Sequence, residues 1–289
     1  MKGIILAGGK GTRLYPSTLS VSKQLLPIFD KPTIFYSLST VMLAEIREIL
    51  IITMPADRAA FERLLGDGSK WGLKLSYAEQ PVARGLADAY IIGRDFVGND
   101  QSLLCLGDNL FFGNDFSRSV SRAISDNNGA TIFAYEVKDP ERYGIVELDE
   151  GGKPISIEEK PRQPRSKLAV PGLYIYDSYV LDIVKILKPS ARGEIEITDV
   201  NRAYLGLGRL KVVPMGRGTA WLDSGTPQSL MQAAAFVQAV QDRQGLMIGC
   251  PEEISYNLGW ISRSQLAAQA EQYKGNSYGE YLERLLDGD

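Results

Sequence analysis

Residues 4–13 constrain the fold more than any other stretch. Four apolar residues, Ile4-Ile5-Leu6-Ala7, run directly into Gly8-Gly9-Lys10-Gly11-Thr12-Arg13. An apolar run of this length, stopped by glycines, predicts a strand buried on both faces, as in parallel sheets, and is too short to cross a membrane. The glycines let the backbone approach a ligand closely and turn successive N–H groups inward, as an anion-binding loop requires. Arg13 adds a planar bidentate fork for phosphate, and Lys23, ten residues further on, a mobile point charge. A polyphosphate is the ligand that suits this loop. Two familiar phosphate motifs do not fit it. A P-loop needs G-x-x-x-x-G-K-[ST], but Ile4 stands at its first glycine position and Gly11 follows Gly9-Lys10. A dinucleotide fingerprint needs a third glycine where Leu14 sits.

The chain contains no histidine. That removes Ser-His-Asp and Cys-His catalysis, imidazole zinc sites and a histidine general base. Chemistry must then rest on carboxylates, Lys, Arg, a hard cation and backbone groups. A net charge of -3 and a pI near 5.3 argue against a nucleic-acid partner or an anionic-membrane partner. The 289 residues, 44% of them hydrophobic, support a large core in one domain with additions or in two domains. The two cysteines lack metal-ligand spacing, and Cys105, inside an apolar run, reads as a small buried side chain. No signal-peptide pattern precedes the first strand and no apolar run reaches membrane-spanning length, so a cytoplasmic location is expected.

Along the chain, a helical pattern over 33–46 is followed by a buried strand at 49–53, a helix at 56–65 and a strand at 73–77 that leads into Glu79-Gln80-Pro81. A helix over 85–96 and a buried strand at 103–106 follow, the latter ending in Gly107-Asp108-Asn109. This alternation predicts an α/β fold with a Rossmann-like, doubly wound, mostly parallel sheet. Ligands of such sheets lie outside the carboxyl ends of the strands, so the Gly8 loop, Gln80 and Asp108 can share one crevice. From Ala130 short strands at 130–137, 143–148, 155–159 and 170–176, separated by turn signals, predict a smaller antiparallel lobe. Helices at 178–187 and 195–205 and extended segments at 210–214 and 219–222 come next. Thr226-Pro227 then reads as an N-cap with proline at the first helical position, opening a helix to about residue 244. The remainder is mostly helical.

Several side chains stand out as chemistry. Asp108 and Asp223 each follow a buried strand, and two such carboxylates suit Mg²⁺, which takes one or two carboxylates plus phosphates and water. Each taken alone reads equally well as a turn or helix cap. The phosphate loop favours the metal reading for the pair. Lys160 at the end of a strand suits a second phosphate and Glu159 beside it sugar hydroxyls, although the two could also be an exposed ion pair. Arg192 is another candidate for that second phosphate. Glu194, Glu196 and Asp199 beyond it read as a solvated face.

The run L-A-G-G-x-G-T-R-L resembles the signature of the nucleotide-sugar pyrophosphorylases, or sugar-phosphate nucleotidyltransferases. LAGGKGTRLYP, VSKQLLPIFDKP, EQP, LGDNLFFG, PERYGIVE, EEKP, GEIEITDVNR, AWLDSGT and CPEEI extend that resemblance over the whole chain. It implies residues 1–241 as the nucleotidyltransferase domain, with a nucleotide half at about 1–129 and a sugar-side half at about 130–241. Residues 242–289 would be a C-terminal helical region at a subunit interface. The resemblance further implies that Leu6, Gly8, Gly9, Gly11, Thr12, Arg13, Lys23 and Asp108 bind the nucleotide, with Gln24, Gln80 and Gly85 reading the base. Asn109, Gly144, Glu159, Lys160, Val170, Tyr174 and Arg192 would bind the sugar phosphate, and Asp108 and Asp223 would hold Mg²⁺. Arg13, Lys23, Asp108, Lys160 and Asp223 would be the catalytic set.

The implied partners are dTTP and glucose 1-phosphate, in a homotetramer. The sugar phosphate is already an anion and needs no general base, which agrees with the missing histidine. The alternatives are UTP in place of dTTP, or a glycosyltransferase of similar fold. The latter normally needs an Asp-x-Asp after a strand, and Asp287-Gly288-Asp289 is the one instance here. The chain departs from the family pattern at Asp88, Pro171 and Pro227. It also departs at Asn257 and Leu258, where an arginine and often a lysine serve a second nucleotide site.

Overall fold

The computed structural model describes residues 1–288; Asp289, the last residue of the expected C-terminal region and of the Asp-x-Asp, lies outside the described residues. Strand β1 (Lys2–Ala7) lies inside a ten-stranded mixed sheet. After it, β2 (Pro27–Ile28) and β3 (Lys31–Pro32) form a small separate ladder. Strand β4 (Glu48–Thr53) pairs with β1 on one side, and β5 (Lys74–Glu79) with β4, both in parallel. Strand β6 (Ser102–Leu106) pairs with β1 in parallel on the other side. Along β1, Ile4 and Leu6 join a core on one face and Ile5 and Ala7 a core on the other, which is why the run reads as continuously apolar. Each fully buried large apolar side chain contributes about 1.5–3 kcal/mol.

Two helices differ from their patterns. The first spans Thr33–Leu43, and Glu45 beyond it takes a positive φ of 58°. The expected helix at 85–96 divides into Asp88–Ile92 and Arg94–Val97. Gly93 is the break, and it sits so close to the sheet that an added Cβ would lie 3.1 Å from Leu50 Cδ2 and 2.9 Å from Ala89 O. Besides β2 and β3, the helix Phe116–Ser125 and the strand β7 (Asn109–Phe112) go beyond the sequence reading.

The second half extends the same sheet instead of standing apart. It supplies β8 (Ala130–Glu136), β9 (Gly144–Leu148), β10 (Pro154–Glu159), β11 (Leu168–Ala169), β12 (Leu173–Tyr176) and β13 (Leu210–Pro214). Strand β12 joins the halves by pairing antiparallel with β6, and β13 pairs in parallel with β8. Strands β11 and β12 are one stretch interrupted at 170–172, and both pair with β8 along one edge. On the opposite edge β12 pairs with β6 while β11 pairs with β9. The sheet therefore parts between β6 and β9. Backbone bonds bracket the opening, Leu106 N to Gly172 O at 2.8 Å and Val170 N to Gly144 O at 2.8 Å.

A last strand, β14 (Ala220–Asp223), pairs antiparallel with β7 and leads into the helix Pro227–Gln244. Thr226 and Ser229 close a capping box there, matching the expected N-cap. Three shorter helices, Pro251–Asn257, Arg263–Gln272 and Ser277–Asp287, complete the described chain. No helix is long and apolar enough to cross a membrane among the described residues.

Candidate active site

A cavity of about 530 Å³ opens at the carboxyl ends of β1 and β6, where the sheet parts. Its first wall is the glycine loop. Gly9, at φ 90°, takes a backbone conformation that L side chains adopt at a cost. Leu6, Gly8, Gly9, Arg13 and Lys23 line the cavity. Gly11 and Thr12 are not among its lining residues. Gly11 turns the loop, and its carbonyl accepts a hydrogen bond from Thr18 Oγ1 at 2.8 Å.

The β7–β14 ladder brings the two aspartates together from positions 115 residues apart in the chain, Asp223 lying opposite Asn109 in register. Ser224 N donates to Asp108 O at 3.1 Å. Lys23 Nζ is ion-paired with Asp108 Oδ2, and Asn109 Nδ2 donates to Oδ1 at 2.9 Å. Burial pushes the Asp108 carboxyl up, but the Lys23 charge and these hydrogen bonds outweigh it and hold it below the ordinary carboxylate range. Asp223 Oδ1 accepts from Gly225 N at 2.9 Å and Ser229 Oγ at 3.0 Å. A Cβ on Gly225 would fall 2.9 Å from Arg13 Nη2 and 3.2 Å from Asp223 Oδ1, so Arg13 and Asp223 flank that glycine. Among the described residues no group of three or more His, Cys, Asp or Glu side chains gathers for a metal. The pair offers carboxylate oxygens alone, which suits a hard cation that completes its shell with phosphate and water.

Asn109, expected as a substrate contact, lines the cavity and also braces its walls. It is 3% exposed, and its Oδ1 accepts from Trp221 Nε1 at 2.6 Å and Gly172 N at 3.2 Å. With Nδ2 on Asp108, the amide acts as a bracket between β7, β14 and the opening of the sheet.

Gln80 and Gly85 line the cavity beyond β5, and Gln24 lines it at β1 and β6, its Nε2 donating to Gly8 O at 3.3 Å and its Cγ lying 3.1 Å from where a Cβ on Gly107 would fall. Gly85 has φ 102°, and a Cβ there would stand 2.4 Å from Ile195 O. The contact is a stitch: Ile195 N donates to Arg84 O at 2.6 Å and Ala87 N to Ile195 O at 3.2 Å. The loop after β5 is thereby tied to the segment that carries Arg192 and Glu196.

Across the opening, Gly144, Glu159, Lys160, Val170, Tyr174 and Arg192 line the other wall. Lys160 closes the β9–β10 pair in a left-handed conformation, φ 46°, with its N–H on Tyr143 O at 3.0 Å. Its ammonium lies 3.7 Å from Glu159 Oε1, and Thr198 Oγ1 donates to Glu159 Oε2 at 2.6 Å. Glu194 keeps its side chain 41% exposed, as a solvated face would have it, but Glu196 is not part of such a face. Glu196 is 7% exposed, and Arg192 Nη2 reaches both its oxygens at 2.8 Å. Glu194 at 3.1 Å and Glu159 at 3.6 Å complete a carboxylate cage around that guanidinium. Burial lowers the Arg192 pKa, but Glu196 and its neighbours more than reverse this. Asp199 alone turns away, onto Arg202. Arg142, Tyr143, Gly172, Thr198 and Trp221 also line the cavity and were outside the sequence reading. Their one signal is position, within two residues of Gly144, Val170, Glu196 or Asp223 in the chain.

A phosphate-type loop facing two aspartates, with further cations across one cleft, defines a nucleotidyl-transferring enzyme. The chain belongs to the nucleotidyl transferase family, whose model matches residues 2–240. It is 57% identical over 286 residues to the glucose-1-phosphate thymidylyltransferase of Neisseria meningitidis serogroup A, covering 99% of each chain. Among solved structures, a Bacillus anthracis protein in complex with sucrose superposes with a TM-score of 0.76 at 43% identity, over 82% of this chain and 94% of that one. Its own assignment as a glucose-1-phosphate thymidylyltransferase is provisional. A UDP-glucose pyrophosphorylase complexed with UDP-glucose gives a TM-score of 0.73 at 25% identity, over 84% of this chain and 99% of that one.

Proposed function

We propose that this protein joins dTTP to α-D-glucose 1-phosphate, giving dTDP-glucose and pyrophosphate. The observation that carries the mechanism is one cavity with two sets of cations. Arg13 and Lys23 adjoin the aspartates on the β1 side, and Lys160 and Arg192 stand across the opening of the sheet. A sugar phosphate oxygen attacks the α-phosphorus, a new P–O bond forms, the α–β bridging P–O bond breaks and pyrophosphate leaves in line. Arg13 and Lys23 offset charge on the triphosphate, Lys160 lets a second anion approach it, and Gln80 orients the base. Asp108 and Asp223 would hold Mg²⁺, which supplies charge neutralisation at the phosphates. Arg192 must share or exchange its carboxylates to meet a phosphate, so Lys160 is the less committed cation on the sugar side. Incubation with each nucleoside triphosphate, several sugar 1-phosphates and Mg²⁺, with pyrophosphate release as the readout, tests the reading. No release with dTTP and glucose 1-phosphate ends it. The likeness to a UDP-glucose pyrophosphorylase keeps UTP as a second donor to be assayed.

Discrimination between dTTP and dUTP should be modest, since one methyl in a pocket is worth roughly 1–3 kcal/mol, or about 10- to 200-fold. A kcat/KM ratio above about 10⁴ would show that more than a methyl pocket selects thymine.

The reading includes a cytoplasmic homotetramer, checked by light scattering in solution, and weak regulation. Asn257 and Leu258, where the family carries cations, line a second cavity of about 310 Å³ with Glu253 and with no Lys or Arg among its described lining residues. A neutral amide in place of an arginine loses about 1.5–3 kcal/mol toward a pyrophosphate. Inhibition by a dTDP-sugar at saturating dTTP should therefore be weak. Strong inhibition persisting there would refute this.

A further inference from the structure

Gln80 leaves β5 at the base side of the cavity, is 3% exposed, and has an amide that is not free to turn. Its Nε2 donates to Asp88 Oδ2 at 3.0 Å and to Gly85 O at 3.4 Å. Asp88 is 1% exposed, and Arg84 Nη2 donates to its other oxygen at 2.8 Å. A carboxylate paired with a guanidinium accepts hydrogen bonds and cannot donate them. The end of the Gln80 amide that faces Asp88 is therefore fixed as the NH₂ group by chemistry. Oε1 is left beside the glycine loop, where a Cβ on Gly8 would fall 2.7 Å from it. No described residue donates to that oxygen.

We propose that Asp88 is a positioning residue that sets the polarity of base recognition. By holding Nε2 it makes Gln80 present an acceptor to the base. An acceptor suits thymine or uracil, whose N3 carries a hydrogen, and opposes cytosine, whose N3 is itself an acceptor. Arg84, its side chain 55% exposed, keeps the buried Asp88 in place from the solvent side. The inference rests on the thymidylyl-transfer reading, and on Gln80 as the residue that meets the base.

The test is kcat/KM for dTTP, dUTP and dCTP in the wild type, D88N, D88A and Q80L, with Kd measured where turnover is too low. An asparagine at 88 can donate as well as accept, and alanine does neither, so both variants remove the shorter of the two bonds that orient the Gln80 amide and leave only the 3.4 Å contact to Gly85 O to resist its turning. The dTTP-to-dCTP ratio should fall roughly ten- to a hundredfold in both, while the dTTP-to-dUTP ratio stays constant, because those two bases share N3–H. An unchanged dTTP-to-dCTP ratio in both Asp88 variants overturns the proposal. An equal fall in the dTTP-to-dUTP ratio also overturns it, since that marks general distortion. Q80L separates the two layers. If Q80L alone collapses the dTTP-to-dCTP ratio, Gln80 reads the base and only the role of Asp88 fails. If Q80L too leaves it unchanged, the assignment of the base site itself fails.

Discussion

Asp108→Asn and Asp223→Asn should each leave a folded protein with turnover reduced by about two to four orders of magnitude. The two substitutions differ in their effect on the fold. Asparagine at 223 keeps an oxygen for Gly225 N and Ser229 Oγ, so the start of the helix Pro227–Gln244 stays capped. Asparagine at 108 deprives Lys23 of its ion-pair partner, at a cost of about 1–3 kcal/mol. Asp223→Asn is therefore the cleaner probe. Both variants keep one side-chain oxygen, replace the other by an NH₂ group and lose the negative charge, which a hard cation needs from its ligands. The measurements are kcat at saturating Mg²⁺ and the affinity for dTTP with and without the metal. Near-normal turnover in both variants would end the metal assignment. Loss of turnover with an undiminished Mg²⁺ effect on dTTP binding would move the metal to other ligands.

Lys160→Met is expected to lower kcat/KM for glucose 1-phosphate about 10²- to 10³-fold while Kd for dTTP changes less than about threefold. Methionine keeps the length of the stem and removes the charge. It is not β-branched, so the left-handed backbone at φ 46° is no worse for it than for lysine. Lysine already carries roughly 1–2 kcal/mol of strain in that conformation, and Lys160→Gly should relieve it. A glycine variant more stable than the wild type yet equally impaired would show that the strain serves to place an ammonium. Arg192 is a poorer probe. Its removal would leave Glu194 and the buried Glu196 without their cation, and a structural defect would be read as a chemical one. Equal catalysis by Lys160→Met and the wild type would remove Lys160 from the phosphate site.

The strand into Gly8, the N-cap at Thr226 and the alternation of strands and helices were legible because each is a local pattern over a few residues. The helix expected at 85–96 was misread because what divides it is not local. Gly93 gives way to the proximity of Leu50, a residue 43 positions earlier. The acidic run after Arg192 was misread for a similar reason. Glu196 looks solvated until the stitch between Ile195 and the loop at Arg84 folds it inward.

Readable before any fold were a candidate phosphate loop, the class of sheet, the lack of imidazole chemistry and which residues were chemically able to act. These follow from residue type and from periodicity over a few positions. Tertiary structure alone decided how those residues meet. Pairing of β7 with β14 sets Asp223 beside Asp108, and the interruption at 170–172 opens the sheet between β6 and β9. It likewise commits Asn109 to Trp221 and Gly172, and encloses Arg192 in carboxylates. The physical reason is that strand pairing and side-chain capture depend on partners far apart in the chain, and no local spacing encodes which partner arrives.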